Sequence, residues 1–116
     1  MSDAELVSPT AREVLADRDC ALWVSAGSAW EIATKTRLGR LDGEPLLSAW
    51  AMIMADLAAT ELPIDTQDAI AAGTLRWEHR DPFDRLLVAQ ATRRNLTIAT
   101  RDERILGAGL ASTMAV

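Results

Sequence analysis

The stretch from His79 to Asp102 constrains the fold more than any other part of this 116-residue chain. Its sequence, HRDPFDRLLVAQATRRNLTIATRD, predicts a loop, a helix, a turn and a strand in succession. Asp81 and Pro82 are typical of a helix start, because an N-cap carboxylate accepts backbone N–H bonds and proline is tolerated at the first helical position. Apolar residues then recur at helical spacing, and the run Leu96–Thr100 is rich in the β-branched residues that strands favour.

Three acidic residues hold positions where chemistry is possible. Asp84 falls in the first turn of the predicted helix, where the helix dipole favours an ionised carboxylate. Asp102 follows the carboxyl end of the predicted strand, the edge at which open α/β sheets bind ligands. Glu31 lies three residues after Ser28, which fits a capping box. Each acid is also explained by local structure alone, as a cap or as a partner of the helix dipole.

The rest of the chain alternates short strands with helices, which predicts an α/β fold with a mostly parallel sheet. The helix beginning at Pro45 is apolar on nearly all sides, so it is either central in the core or covered by another chain. The other expected helices are at 8–17, 28–38, 66–73 and 82–94, and the expected strands are at 21–24, 61–64, 96–100 and 112–116.

The charge of the chain is unevenly distributed. The net charge is −5, so no global basic field draws the chain to nucleic acid. Between Arg76 and Arg104, however, seven arginines and five acids leave a local charge of +2, and a second basic cluster comprises Lys35, Arg37 and Arg40. These clusters are interpreted either as solvated helix ends or as the surroundings of a phosphate-handling metal site.

Several classes of protein are excluded by residue counts and patterns. Cys20 is the only cysteine, which excludes an internal disulfide and fits a reducing cytoplasm. No apolar stretch approaches the roughly 20 residues of a membrane span, and the first residues do not have the plan of a signal peptide. His79 is the only histidine, which excludes multi-histidine metal sites, and it is expected as an exposed loop residue.

Four segments of the chain together resemble one known family. They are Ser28-Ala-Trp-Glu31-Ile, Arg37-Leu-Gly-Arg-Leu41, Asp81-Pro-Phe-Asp-Arg-Leu-Leu-Val-Ala-Gln-Ala91 and Thr100-Arg-Asp102. They resemble the PIN domain, and specifically the bacterial VapC-type ribonuclease toxins of type II toxin–antitoxin systems, over essentially the whole chain. The resemblance implies one PIN-like domain over residues 1–116, with a central parallel sheet flanked by helices.

The resemblance also implies a function and a set of site residues. It implies hydrolysis of RNA that depends on Mg²⁺ or Mn²⁺, restraint by a cognate antitoxin, and a homodimer. The single cysteine and the lack of a membrane span lead us to expect a cytoplasmic protein without membrane contact. Matched residue by residue, the catalytic and metal-binding acids fall on Glu31, Asp84 and Asp102, with Asp81 as a further candidate ligand. Thr100 matches the hydroxyl position before the last acid.

One departure from the family pattern concerns the first strand. PIN domains begin with a strand of the form LLLDTHALLW, which lies at the centre of the sheet and ends in the first metal-binding aspartate. We find no such segment here and expect an N-terminally truncated domain that lacks the central first strand and the first catalytic acid. The strands at 21–24 and 96–100 must then pair directly, leave edges unpaired or recruit a strand from another chain.

Two functional hypotheses follow from the resemblance, and a third competes with it. The chain is either a metal-dependent ribonuclease or an inactive PIN remnant that binds antitoxin or dimerises through the helix around Trp50–Leu57. The third hypothesis is an unrelated α/β domain in which every acid is a cap, and the resemblance argues against it.

Overall fold

Five short strands form one sheet in the computed structural model of the chain, which describes residues 14–16 and 21–115. Four of these strands run in the same direction, and the central strand runs against both of its neighbours. The prediction of an α/β fold with a mostly parallel sheet is therefore confirmed. The strands are β1 (Val14–Ala16), β2 (Leu22–Ser25), β3 (Ala59–Leu62), β4 (Thr97–Thr100) and β5 (Thr113–Ala115), in the spatial order β3-β2-β1-β4-β5.

The centre of the sheet is occupied by β1, where the sequence predicts a helix. That prediction, over 8–17, is wrong at residues 14–16, and its other residues lie outside the described part of the chain. β2 and β4 each offer an edge of backbone donors and acceptors to the space between them, and β1 pairs with both. Leu15 lies opposite Trp23 on one side and Ile98 on the other, and it is completely buried. Tertiary pairing thus outweighs the local helix signal.

Six helices accompany the sheet in the described residues. The predicted start at Asp81 and stop at Asn95 are confirmed, since the Asp81 carboxylate caps the helix and Asn95 adopts a left-handed φ of 55°. The helices are α1 (Ala26–Arg37), α2 (Glu44–Ser48), α3 (Trp50–Asp56), α4 (Thr66–Thr74), α5 (Pro82–Arg94) and α6 (Glu103–Ala108).

The long apolar helix predicted from Pro45 is in fact two short helices, α2 and α3, separated at Ala49. Each of them buries a side chain, Leu46 in α2 and Met54 in α3. Met52 remains 62% exposed. Each of the two short helices therefore has both buried and exposed residues, and the segment is neither wholly core nor wholly surface.

The main core lies between α5 and the sheet. Burying a large aliphatic side chain contributes about 1.5–3 kcal/mol, so this cluster fixes the position of α5 over the sheet. The N-terminal end of α5 is thereby held beside the ends of β2 and β4. The cluster comprises Leu15, Leu62, Leu87, Val88, Ala91, Leu96, Ile98 and Ile105.

Candidate metal centre

The four sequence-predicted acids come from three helices that begin at one edge of the sheet. α1 directly follows β2 and carries Glu31, and Asp102 caps α6, which follows β4. Asp81 caps α5 and Asp84 lies in its first turn. β2 and β4 run in the same direction, so their carboxyl ends meet at the same edge. This is the edge where open α/β sheets place ligands.

A close approach of two helices brings α1 to α5. A Cβ added to Gly27 would come within 2.9 Å of the Leu86 side chain, so glycine allows α1 to begin this near to α5. Glu31 lies one turn further along α1, and Asp84 lies at the start of α5. The charge of Asp84 consequently raises the pKa of Glu31.

Asp84 is the most deeply buried of these acids, with 3% of the residue exposed. Its Oδ2 lies 2.6 Å from Nε2 of His79. Burial raises the pKa of Asp84; the hydrogen bond with His79 opposes this rise, and the charges of Asp81 and Asp102 add to it. Asp84 is therefore a buried carboxylate whose charge the surrounding protein only partly balances.

Glu31 is not part of a capping box, contrary to the prediction. The helix cap is Ser25, three residues before the predicted cap at Ser28; its hydroxyl accepts from the N–H of Gly27 at 3.0 Å, and α1 begins at Ala26. Ser28 and Glu31 both lie inside the helix. A capping box therefore does not explain why an acid stands at position 31.

The environment of Glu31 resembles that of Asp84. Glu31 is 9% exposed, and its carboxylate pairs with Lys35 Nζ at 3.0 Å. Burial raises the pKa of Glu31, Lys35 opposes the rise, and the charges of Asp84 and Asp81 reinforce it. The two helices thus hold carboxylates whose charges destabilise one another.

The other two acids act as helix caps, as predicted. Asp81 Oδ1 accepts from the N–H of Phe83 at 2.9 Å, and Asp102 Oδ1 accepts from the N–H of Arg104 at 2.9 Å. Burial alone would raise the pKa of Asp102, but hydrogen bonds from Arg104 outweigh it and hold the pKa below its usual range. The fully buried hydroxyl of Thr100 accepts from the N–H of Asp102 at 3.0 Å and so orients this acid.

His79 is not an exposed loop residue, contrary to the prediction. Its side chain is 12% exposed and contacts Asp84. Within the described residues, ligand atoms of His79, Asp81 and Asp84 all lie within 4.8 Å of one another. The charge of Asp84 raises the pKa of Glu31, and the charge of Asp102 raises the pKa of Asp84, so Glu31 and Asp102 both lie nearby. Neither belongs to this group of three residues.

Arg85 fixes the loop that carries His79, a role that the sequence did not reveal. We call residues 75–80 the 75–80 loop. Because the acceptors are backbone carbonyls, no side-chain pattern signals this arrangement. The Arg85 guanidinium donates to the carbonyl oxygens of Ala72 (2.9 Å), Leu75 (2.8 Å), Trp77 (2.8 Å) and His79 (3.0 Å).

An open cleft of about 790 Å³ lies beside His79. Two arginines of the predicted basic stretch line it, as a polyanionic ligand would require, together with Glu78 and Glu103. Its lining includes Arg76, Trp77, His79 and Arg104.

The donor set fits a divalent cation. Mg²⁺ and Mn²⁺ prefer oxygen ligands, and carboxylates supply most of the donors here. Burial raises the pKa values of Glu31 and Asp84, and neighbouring carboxylates add to the rise, so a cation bound here would favour the ionised forms.

Comparison with known proteins supplies one match. No curated protein and no solved structure matches the chain. None of the helices between residues 21 and 115 combines the length and hydrophobicity that a membrane span requires. The family model of the PIN domain matches residues 8–109, a range that contains His79 and all four acids. PIN domains are generally nucleases that use a divalent metal, and on this match the chain belongs to the PIN domain family.

Proposed function

We propose that this chain is a divalent-metal-dependent endoribonuclease of the VapC toxin type. One observation carries the proposal: the edge formed by β2 and β4 gathers Asp84, Asp81, Glu31 and Asp102, and the two most buried of them have raised pKa values. Such a group of carboxylates is unfavourable unless a cation joins it. The family match adds that PIN domains are generally nucleases.

The acids and the arginines divide the work in this proposal. Glu31, Asp84 and Asp102 would hold Mg²⁺ or Mn²⁺, with Asp81 as a further ligand. A bound divalent ion activates water and neutralises charge on the phosphodiester during hydrolysis. Thr100 keeps Asp102 oriented, and Arg76 and Arg104 at the cleft attract the RNA backbone.

The test is RNA cleavage with Mn²⁺ or Mg²⁺ by the wild type and by two matched variants. Asp84→Asn should lower the rate at least about a hundredfold, since the charge stabilisation that a metal provides is worth several kcal/mol. Asp56→Asn makes the same chemical change at an exposed position of α3 and should cleave at the wild-type rate. Metal-dependent cleavage that survives Asp84→Asn would contradict the proposed site.

A second candidate function is binding without catalysis, as an inactive PIN remnant that captures an antitoxin or dimerises. One observation favours it: the described residues of the central strand, 14–16, are Val, Leu and Ala, none of which carries a carboxylate. Large apolar side chains exposed on the surface are consistent with a protein partner. They include Trp30, Met52, Leu57 and Ile70.

Capture and cleavage are separable by experiment. On the binding hypothesis the chain is inert towards RNA with either metal but copurifies with the antitoxin encoded beside it. Met52→Asp places a charge at an exposed position of α3 and should weaken capture or dimerisation measured by sedimentation, whereas the buried Met54 is unsuitable because a charge there would disturb the core. Robust cleavage by the purified chain excludes the binding-only function.

A further inference from the structure

The 75–80 loop is built to present the imidazole of His79 to the acids. Arg85 binds the carbonyl of His79 and those of two earlier loop residues, which fixes the loop backbone. The ring of Trp77 packs against the imidazole with centroids 4.8 Å apart, which restricts the ring itself. A histidine that only filled space in a loop would not need both constraints.

The imidazole contacts the acids through Nε2, which lies 2.6 Å from Asp84 Oδ2. One ligand atom from each of His79, Asp81 and Asp84 lies within 4.8 Å of the other two. A single ion with bonds near 2.1 Å reaches ligands on opposite sides that are roughly 4.2 Å apart. For a nitrogen and two carboxylate oxygens to surround one ion, the widest separation in the group would shorten slightly and the 2.6 Å pair would open to about 3 Å, the spacing of adjacent ligands with bonds near 2.1 Å.

We propose that His79 is a nitrogen ligand of the divalent cation and that it makes this centre prefer Mn²⁺ to Mg²⁺. This inference rests on the proposed function, because it concerns the same metal site. Imidazole binds transition-metal ions well, whereas Mg²⁺ prefers oxygen donors and retains water. A centre made only of carboxylates would discriminate less between the two ions. His79 therefore sets the metal preference, and the acids supply the remaining ligands.

The direct test is electron spin echo spectroscopy of Mn²⁺ bound to the chain purified without a histidine tag. His79 is the only histidine, so any imidazole coupling to the ion identifies it without further assignment. We expect nitrogen modulation in the wild type, a change to the ¹⁵N pattern when histidine is labelled with ¹⁵N, and loss of the modulation in His79→Gln. Asp56→Asn should retain it.

The second measurement is the ratio of the Mn²⁺ and Mg²⁺ dissociation constants, from the free Mn²⁺ signal in a Mg²⁺ competition. His79→Gln should weaken Mn²⁺ binding at least about tenfold, the scale on which even outer-shell partners of a metal matter, and should weaken Mg²⁺ binding much less. The preference for Mn²⁺ then falls about tenfold. If His79 only held Asp84 by a hydrogen bond, both ions would weaken together and the ratio would stay constant.

The outcomes separate this inference from the proposed function. Mn²⁺ that binds with no histidine-derived nitrogen coupling, or with a Mn²⁺ to Mg²⁺ ratio unchanged by His79→Gln, overturns the role of His79 and leaves the carboxylate site standing. A chain that binds neither ion overturns both.

Discussion

Two regions of this protein begin a helix with the same spacing of aspartates and use it in opposite ways. Asp65 and Asp68 open α4, and Asp81 and Asp84 open α5. In both pairs the first aspartate caps the helix and the second is buried in the first turn. By local sequence rules the second aspartates, Asp68 and Asp84, are equivalent.

The difference lies in what packs on the second aspartate. Asp68 is completely buried and accepts from Arg94 at 2.7 Å, from Gln90 at 3.1 Å and from Arg93. Burial alone would raise the pKa of Asp68, but the hydrogen bonds from Arg94, the Asp65 backbone, Gln90 and Arg93 lower it well below the usual range. Among the described residues the Asp84 carboxylate has His79 as its hydrogen-bond partner; burial raises the pKa of Asp84, and the charges of Asp81 and Asp102 add to the rise.

This comparison distinguishes a buried carboxylate whose charge is balanced from one whose charge is only partly balanced. Asp68 joins the start of α4 to the end of α5, and its charge is balanced by two arginines. Asp84 lies at the other end of α5 with its charge only partly balanced. Partial balance lowers stability but leaves a carboxylate ready for a cation, which is the usual compromise at functional sites.

The largest stability effect should come from Asp68→Asn. We expect the free energy of unfolding to fall by about 3 kcal/mol, because removing the carboxylate of a buried ion pair leaves the arginine charges uncompensated. This value is at the low end of the usual range for buried ion pairs because both arginines are partly exposed. Urea denaturation measures it. In Asp65→Asn the asparagine still caps α4, and the loss of one exposed charge should change stability by less than about 1 kcal/mol. Equal losses in the two variants would show that Asp68 is not the centre of this network.

Acid should remove the same stabilisation. The pKa of Asp68 is lower in the folded chain than the value of about 3.9 in an unfolded one, so the unfolded state takes up the proton first. The contribution of Asp68 is therefore present above about pH 4 and declines as the pH falls further. The gap between the urea midpoints of the wild type and Asp68→Asn should therefore narrow partly as the pH falls from 4 to 3. A gap that stays constant or widens in acid would contradict the lowered pKa.

An intermediate effect should follow from Arg85→Lys. An ammonium group cannot reproduce the fork of donors that holds several carbonyls at once, and hydrogen bonds from charged groups contribute about 1.5–3 kcal/mol. We expect a loss of about 2 kcal/mol and faster amide exchange in the 75–80 loop. Arg80→Lys, at an exposed position of the same loop, should change stability by less than about 0.5 kcal/mol. Unchanged exchange in Arg85→Lys would show that the carbonyl contacts do not fix the loop.

The smallest effect should come from Lys35→Gln. Lys35 pairs with Glu31 one helical turn away, and its side chain is 45% exposed, so the pair contributes only about 0.3–0.5 kcal/mol. Thermal denaturation should detect little change. A loss above about 1 kcal/mol would mean that Lys35 balances Glu31 as fully as the arginines balance Asp68, which would weaken the contrast between the two regions.

Local signals predicted the elements whose ends are set by their own residues. The cap at Asp81, the turn at Asn95 and the cap at Asp102 are all as expected, because each depends on one side chain and the adjacent backbone. The edge on which the acids gather also followed from the order of strands and helices.

The failures have physical causes of three kinds. β1 is a strand because β2 and β4 need a partner between them, which no local rule contains. The capping box was assigned to Ser28 because that serine has an acid three residues later, whereas Ser25, the actual cap, has none. The position of His79 depends on hydrogen bonds from Arg85 to backbone carbonyls of the 75–80 loop. The pattern of side chains in the sequence does not predict hydrogen bonds to backbone carbonyls.

The most direct test of the contrast is thermal denaturation of the wild type, Asp84→Asn and Asp68→Asn, each with and without Mn²⁺. Mn²⁺ at about 100 times its dissociation constant should stabilise the wild type by about 2.7 kcal/mol. We expect Asp84→Asn to melt near the wild-type temperature without Mn²⁺ and to gain little from it. We expect Asp68→Asn to melt lower and to retain the full Mn²⁺ stabilisation. The reverse pattern, in which Asp84→Asn unfolds early and still responds to Mn²⁺, would contradict the contrast.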